Sequence, residues 1–164
     1  FNVNTKAPFI LMQDSIKIMI RENIKGNIVN VLSMAAHSGM PFLAAYSASK
    51  AALANMTKNT ANSVAGHNIR VNALNIGWTD TPGENVIQKK FHHGGDDWLK
   101  KAEKKAPFKR LTKAIDVARA SAYLCSEESG LVTGSIIDYD QSVFGWHSYS
   151  AYDTNLLDDS LLGE

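Results

Sequence analysis

Short apolar runs alternate with amphipathic helical stretches along this chain, and that alternation leaves few folds open. "NIVNVLS" (27–33), "IRVNALNI" (69–76) and "GSIIDYD" (134–140) read as strands. They are apolar on both pleat faces, the pattern of strands covered from two sides. In residues 5–24, Phe9, Met12, Ile16, Met19, Ile20 and Ile24 recur at helical steps. Pro8 falls in the first turns, where proline is tolerated, and Gly26 is the expected helix stop. A second helix is expected from about Ala45 to Ala65, ended by Gly66. A third covers 114–127, N-capped by Thr112. Residues 77–83 are rich in turn formers. Residues 84–110 are polar and partly helical, with a break at His92-His93-Gly94-Gly95. The pattern predicts an α/β fold, a doubly wound parallel sheet. Three strands make a small sheet of this type, and an edge would stay open unless other strands pair with it.

A chain of 164 residues makes one domain the default and can bury a real core. The net charge of +1 argues against nucleic acid or an anionic membrane as main partner. Lys89, Lys90, Lys100, Lys101, Lys104 and Lys105 interleave with Asp96, Asp97 and Glu103, as on a solvated helix face. No run is long enough to span a membrane, and no signal-peptide pattern is present. Cys125 is the single cysteine, so no intrachain disulfide forms, and a reduced, cytoplasmic setting fits. Nothing beside it would lower its pKa. His92-His93 with Asp96-Asp97 lacks the spacing of a metal site, so no metal is expected.

The stretch "AAYSASKAAL" (44–53) allows two chemistries. Ser47-x-x-Lys50 would be a serine nucleophile with a lysine. That reading lacks the Ser-Asp-Asn and Lys-Thr-Gly partners of penicillin-binding enzymes. Tyr46-x-x-x-Lys50 places a phenol and an ammonium on one helix face. A cation ~4 Å from the phenol at an effective dielectric of ~20 is worth roughly 4 kcal/mol. That is about three pKa units, enough to bring a phenol of pKa ~10 near neutrality for acid–base work. Ser33 stands thirteen residues earlier at the end of the first strand. Ligands of parallel sheets bind at such carboxyl ends.

The segment "NVLSMAAHSGMPFLAAYSASKAAL", with Ser33, Tyr46 and Lys50, resembles the catalytic signature of the short-chain dehydrogenase/reductase (SDR) family. The resemblance runs from about residue 1 to 144 and covers the family's C-terminal two-thirds; 145–164 reads as an irregular tail. It implies a Rossmann-like fold and an NAD- or NADP-dependent enzyme acting on a small alcohol or carbonyl. By that resemblance Tyr46 is the proton donor and Ser33 polarises the substrate oxygen. Lys50 lowers the Tyr46 pKa and contacts the nicotinamide ribose, and Asn4 holds a water beside Lys50. "IGWTDT" matches the family's cofactor loop. Ile76 stands there in place of proline, Gly77 and Thr81 match, and Thr79 lies between them. Thr81 would meet the nicotinamide carboxamide. The helices at 5–24 and 45–65 commonly form the subunit interface, so a homodimer or homotetramer is implied. "LVTGSIIDYDQS" resembles the family's last strand, with Gln141-Ser142 where a glycine pair is common.

No G-x-x-x-G-x-G dinucleotide fingerprint occurs in these residues. With the opening "FNVNTKAPF", this leads to the expectation that about three β-α units, roughly 90 residues, lie upstream. It also leads to the expectation that residues 1–164 alone bind NAD(H) or NADP(H) only at millimolar affinity or weaker. The alternative is an inactive or partner-binding remnant of the same lineage. His37, between Ser33 and Tyr46, is placed where it could touch substrate, but a surface-loop histidine is the preferred reading. Trp98 and Phe108 read as anchors of the basic helix.

Overall fold

In the computed structural model, which describes residues 1–37 and 42–143, a π-helical turn (Asn2–Lys6) runs directly into helix α1, Ala7–Arg21. Pro8 lies in its first turn, where a missing N–H costs nothing. The helix stops at Glu22 rather than at Gly26, and Asn23 turns the chain with φ 53°. A short amide side chain tolerates that left-handed conformation. Gly26 is glycine for a different reason: a Cβ there would lie 2.3 Å from the Met19 sulfur. Strand β1, Asn27–Val31, leads to a 3₁₀ turn, Met34–His37. Helix α2, Ala44–Val64, runs into a further 3₁₀ turn. Asn68, at φ 57°, reverses the chain there, and Gly66 does not.

Strand β2 (Arg70–Ile76) is followed by β3 (Thr79–Asp80), α3 (Pro82–Lys90), α4 (Trp98–Lys105), β4 (Thr112–Lys113), α5 (Ala114–Cys125) and β5 (Ile136–Tyr139). The break expected near His92 separates α3 from α4, with His93 and Gly95 both at positive φ. Thr112 is not the cap of α5. It lies in β4, and Lys113 takes the cap position, its backbone N–H donating to the Asp116 carboxylate at 2.9 Å.

Strand β2 is central, with β1 and β5 parallel on either side. Val31 lies opposite Leu74, and Ile76 opposite Tyr139. A second parallel pair joins β3 to β4. No strand lies outside β1 among the described residues, so the open edge is present. Helices α1 and α2 cover one face, where Met12, Leu53, Ala61 and Val64 meet Leu32, Val71 and Ala73. Helix α5 packs on β1 and β2. No helix among the described residues is long and apolar enough to cross a membrane.

Two polar groups inside this packing, Asn30 and Arg70, are paired within the fold. Asn30 Nδ2 donates to Thr57 Oγ1 at 2.9 Å, and Thr57 donates to the Leu53 carbonyl at 2.8 Å. The Arg70 guanidinium donates to the carbonyls of Leu124, Ser126 and Val132 and to Ser129 Oγ. The connection between α5 and β5 is thereby wrapped around one side chain. The irregular tail expected at 145–164 lies outside the described residues.

Candidate active site

The first turns of α2 are tied to the end of β1 by Lys50, whose Nζ donates to the Val31 carbonyl at 3.0 Å. Ser33 follows two residues later, where the strand becomes the 3₁₀ turn. Its Oγ accepts from the Ala35 backbone N–H at 3.2 Å, which leaves its own proton to donate. The Tyr46 side chain is 37% exposed on the same end of α2. The Lys50 ammonium lies 5.9 Å from the Tyr46 ring centroid, at the limit of cation–π reach. Burial pushes the Lys50 pKa below the ordinary lysine value.

Asn4 reaches this group through α2. Its Nδ2 donates to Ser49 Oγ at 3.3 Å, and Ser49 donates to the Tyr46 carbonyl at 2.6 Å. Thr5 adds a hydrogen bond to the Ser49 carbonyl at 3.1 Å. The π-helical turn is thus pinned to the helix face that carries Tyr46 and Lys50. The Ser47 reading has no such support. Ser47 Oγ is buried without a partner among the described residues, and the Lys50 ammonium donates to the Val31 carbonyl rather than to Ser47. A serine–lysine dyad is not assembled.

The end of β2 supplies the second wall. Ile76 stays in the strand, and Gly77 N–H donates to the Tyr139 carbonyl at 3.1 Å. A Cβ on Gly77 would fall 1.8 Å from an Asp140 carboxylate oxygen, so the side chain of Asp140, just past β5, occupies the space that a larger residue would need. Thr79 Oγ1 donates back to the Gly77 carbonyl at 2.9 Å. Thr81 caps α3 by accepting from the Glu84 N–H at 3.1 Å, and its hydroxyl proton remains available.

The family model described as enoyl-(acyl carrier protein) reductase matches residues 1–143. This chain belongs to the short-chain dehydrogenase/reductase family. It is 38% identical over 138 residues to an uncharacterised oxidoreductase of Thermotoga maritima, covering 84% of this chain and 54% of that protein. It is 37% identical over 139 residues to a 3-oxoacyl-(acyl-carrier-protein) reductase, FabG, of the same organism, covering 85% and 53%. Among solved structures, 4-hydroxyisoleucine dehydrogenase complexed with NADH superposes with a TM-score of 0.73 at 30% identity, covering 85% of this chain and 56% of that one. The chain therefore spans about half the length of the relatives it matches.

Two features of this short-chain dehydrogenase/reductase were missed by reading its sequence. Ser49 links Asn4 to α2, and only its place between Tyr46 and Lys50 could have pointed to it. His37 is not a free loop residue, because its Nε2 lies 2.7 Å from Asp138 Oδ1 and 2.9 Å from Asn75 Nδ2. Burial acts to raise the Asp138 pKa, but hydrogen bonds from His37 and Asn75 outweigh it and hold the carboxyl below its usual value. Trp98 is the anchor expected, 4% exposed and stacked on Trp78 at 6.0 Å. Phe108 is not, since it stands 74% exposed. A cavity of about 230 Å³ at the ends of β4 and β5 is lined by Arg110, Asp116, Asp138 and Gln141, among others, and does not include Tyr46 or Lys50. No three potential metal ligands cluster among the described residues.

Proposed function

We propose that residues 1–144 form the catalytic part of an NAD- or NADP-dependent oxidoreductase that interconverts a small alcohol and its carbonyl. The observation that carries this is the grouping at one sheet end: an exposed phenol, an ammonium anchored to the neighbouring strand, and a serine hydroxyl with a free proton. In the reducing direction Tyr46 gives its phenolic proton to the carbonyl oxygen. Ser33 donates a hydrogen bond to that oxygen and stabilises the charge developing on it. Lys50 keeps a cation beside the phenol and restores its protonation. Asn4, through Ser49, fixes the turn of α2 on which Tyr46 stands.

The residues fit the nicotinamide end of the cofactor. Lys50 has ammonium protons beyond the one on Val31, Thr81 has an unspent hydroxyl proton, and Ile76, Gly77 and Thr79 lie beside them in sequence at the end of β2 and in β3. The cofactor supplies or accepts the hydride. The solved relative that holds NADH supports this assignment. The substrate is a small molecule, and neither nucleic acid nor a membrane is the partner. The exposed apolar side chains of α1, with Leu11 67% and Ile18 48% exposed, support a homodimer or homotetramer through α1 and α2. A cytoplasmic setting agrees with this chemistry.

The test is nicotinamide absorbance at 340 nm with a panel of secondary alcohols and ketones, run on the full protein and on Tyr46→Phe. The variant removes one oxygen and leaves the ring packed. Turnover should fall about 10²–10⁴-fold with the circular dichroism spectrum unchanged. Activity within about tenfold of the parent would sink the assignment.

A further inference from the structure

We propose that His37 is a positioning residue for Ser33, held by a polar clamp with Asn75 and Asp138 that joins the ends of all three main strands; this rests on the oxidoreductase reading. His37 closes the turn that follows β1. Asn75 is the second-to-last residue of β2, and Asp138 lies in β5. Their polar atoms converge. His37 Nε2 lies 2.7 Å from Asp138 Oδ1, Asn75 Nδ2 lies 2.8 Å from the same oxygen, and the two nitrogens are 2.9 Å apart.

The carboxylate selects which ring nitrogen carries a proton. An ionised carboxylate only accepts, so the short contact to Asp138 is attractive when His37 carries its proton on Nε2. Asn75 donates to the same oxygen, so in that state Asp138 Oδ1 holds both residues and the 2.9 Å approach of the two nitrogens is not itself a hydrogen bond. Asn75 is 1% exposed, and its Oδ1 has no partner among the described residues. A buried unpaired acceptor is destabilising, so an apolar residue would serve the sheet better if packing were the only requirement. The amide persists there as part of the clamp.

The clamp acts on Ser33 through one short turn. Ala36 N–H donates to the Ser33 carbonyl at 2.8 Å, and Ala35 N–H to its Oγ at 3.2 Å. His37 is the last residue of that turn. With its ring fixed to β2 and β5, the turn cannot swing, and the Ser33 hydroxyl keeps one direction. Misplacing a reacting group by about 1 Å costs on the order of 10²-fold in rate.

The experiment compares His37→Ala, His37→Gln and Asp138→Asn in the full protein, with Tyr46→Phe as control. His37→Ala and Asp138→Asn should each lower kcat about 10- to 100-fold with cofactor KM unchanged. His37→Gln, which offers an N–H at similar reach, should recover most of the loss. The nitrogen-15 spectrum of the parent should show His37 Nε2 as a protonated nitrogen. In Asp138→Asn it should move toward the averaged shift of a ring that exchanges tautomers. If His37→Ala does not fold, Asp138→Asn and the nitrogen spectrum carry the test. An inactive Tyr46→Phe beside wild-type kcat in His37→Ala or Asp138→Asn overturns the positioning role alone, as does an unmoved Nε2 resonance. An active Tyr46→Phe removes the oxidoreductase reading and the positioning role with it.

Discussion

The sheet face under α1 and α2 and the segment carrying α3 and α4 are built on opposite plans. On the first, Leu53, Ala61, Val64, Ile69, Val71 and Ala73 are all exposed by 6% or less. On the second, the buried cluster shrinks to Trp98, Ala102, Ala106 and Leu111, while Val86, Ile87 and Phe91 face outward. Polar contacts do much of the fastening there. Trp78 donates to Glu84 at 2.7 Å, Trp98 to Asn85 at 2.8 Å, and Lys113 bridges Asp80 and Glu103. Partly exposed ion pairs contribute little each. The region with few buried apolar contacts therefore opens more readily than the sheet. Tyr46 and Lys50 stand on the rigid plan, and the apolar side chains of α3 stand on the loose one. Such a division lets the α3–α4 segment vary without disturbing the helix that carries Tyr46 and Lys50.

The comparison is sharpest at Lys50. Lys50→Met should lower kcat/KM by about 10²-fold or more and raise cofactor KM, since in the proposed reaction the residue serves both the phenol and the ribose. Burial lowers the Lys50 pKa, so its charge is lost below the ordinary lysine value of 10.5. The parent pH–rate profile should fall on the alkaline side below that value, and the variant should lack this step. An identical profile in both would make Lys50 a solvated helix residue. Leu53→Ala should come next, costing about 2–5 kcal/mol of global stability by leaving a cavity under the site. Urea unfolding would read it as a lower midpoint; no change would mean that the α2 face is not the stable half. Phe91→Ala should have the smallest effect, within about 0.5 kcal/mol in the same assay. A large loss of stability there would erase the distinction between the two regions.

The main strands could be read from their short β-branched runs, although only β2 is buried on both faces and β1 and β5 are partly exposed. Tyr46 and Lys50 could be read because both lie on one helix, within five residues. The helix ends were misjudged at Gly26 and Gly66. Asn23 and Asn68 make the turns, and their left-handed backbone leaves no mark in composition. The β3–β4 pair escaped because each strand is two residues long and its partner lies more than thirty positions away. The His37–Asn75–Asp138 group escaped for the same reason on a larger scale. Asn75 and Asp138 sit inside strand patterns that signal only the strand, and the contact exists once the sheet has set its register.

Arg70 has a consequence for how the molecule comes apart. Its guanidinium holds the end of α5, Ser129 and Val132 together from within β2. The hand-over from α5 to β5 cannot fray while β2 stays in place, because fraying would strand a charged group among carbonyls it no longer touches. Amide hydrogens at the end of α5 should therefore exchange with solvent on the slow clock of β2, although that helix end lies at the surface.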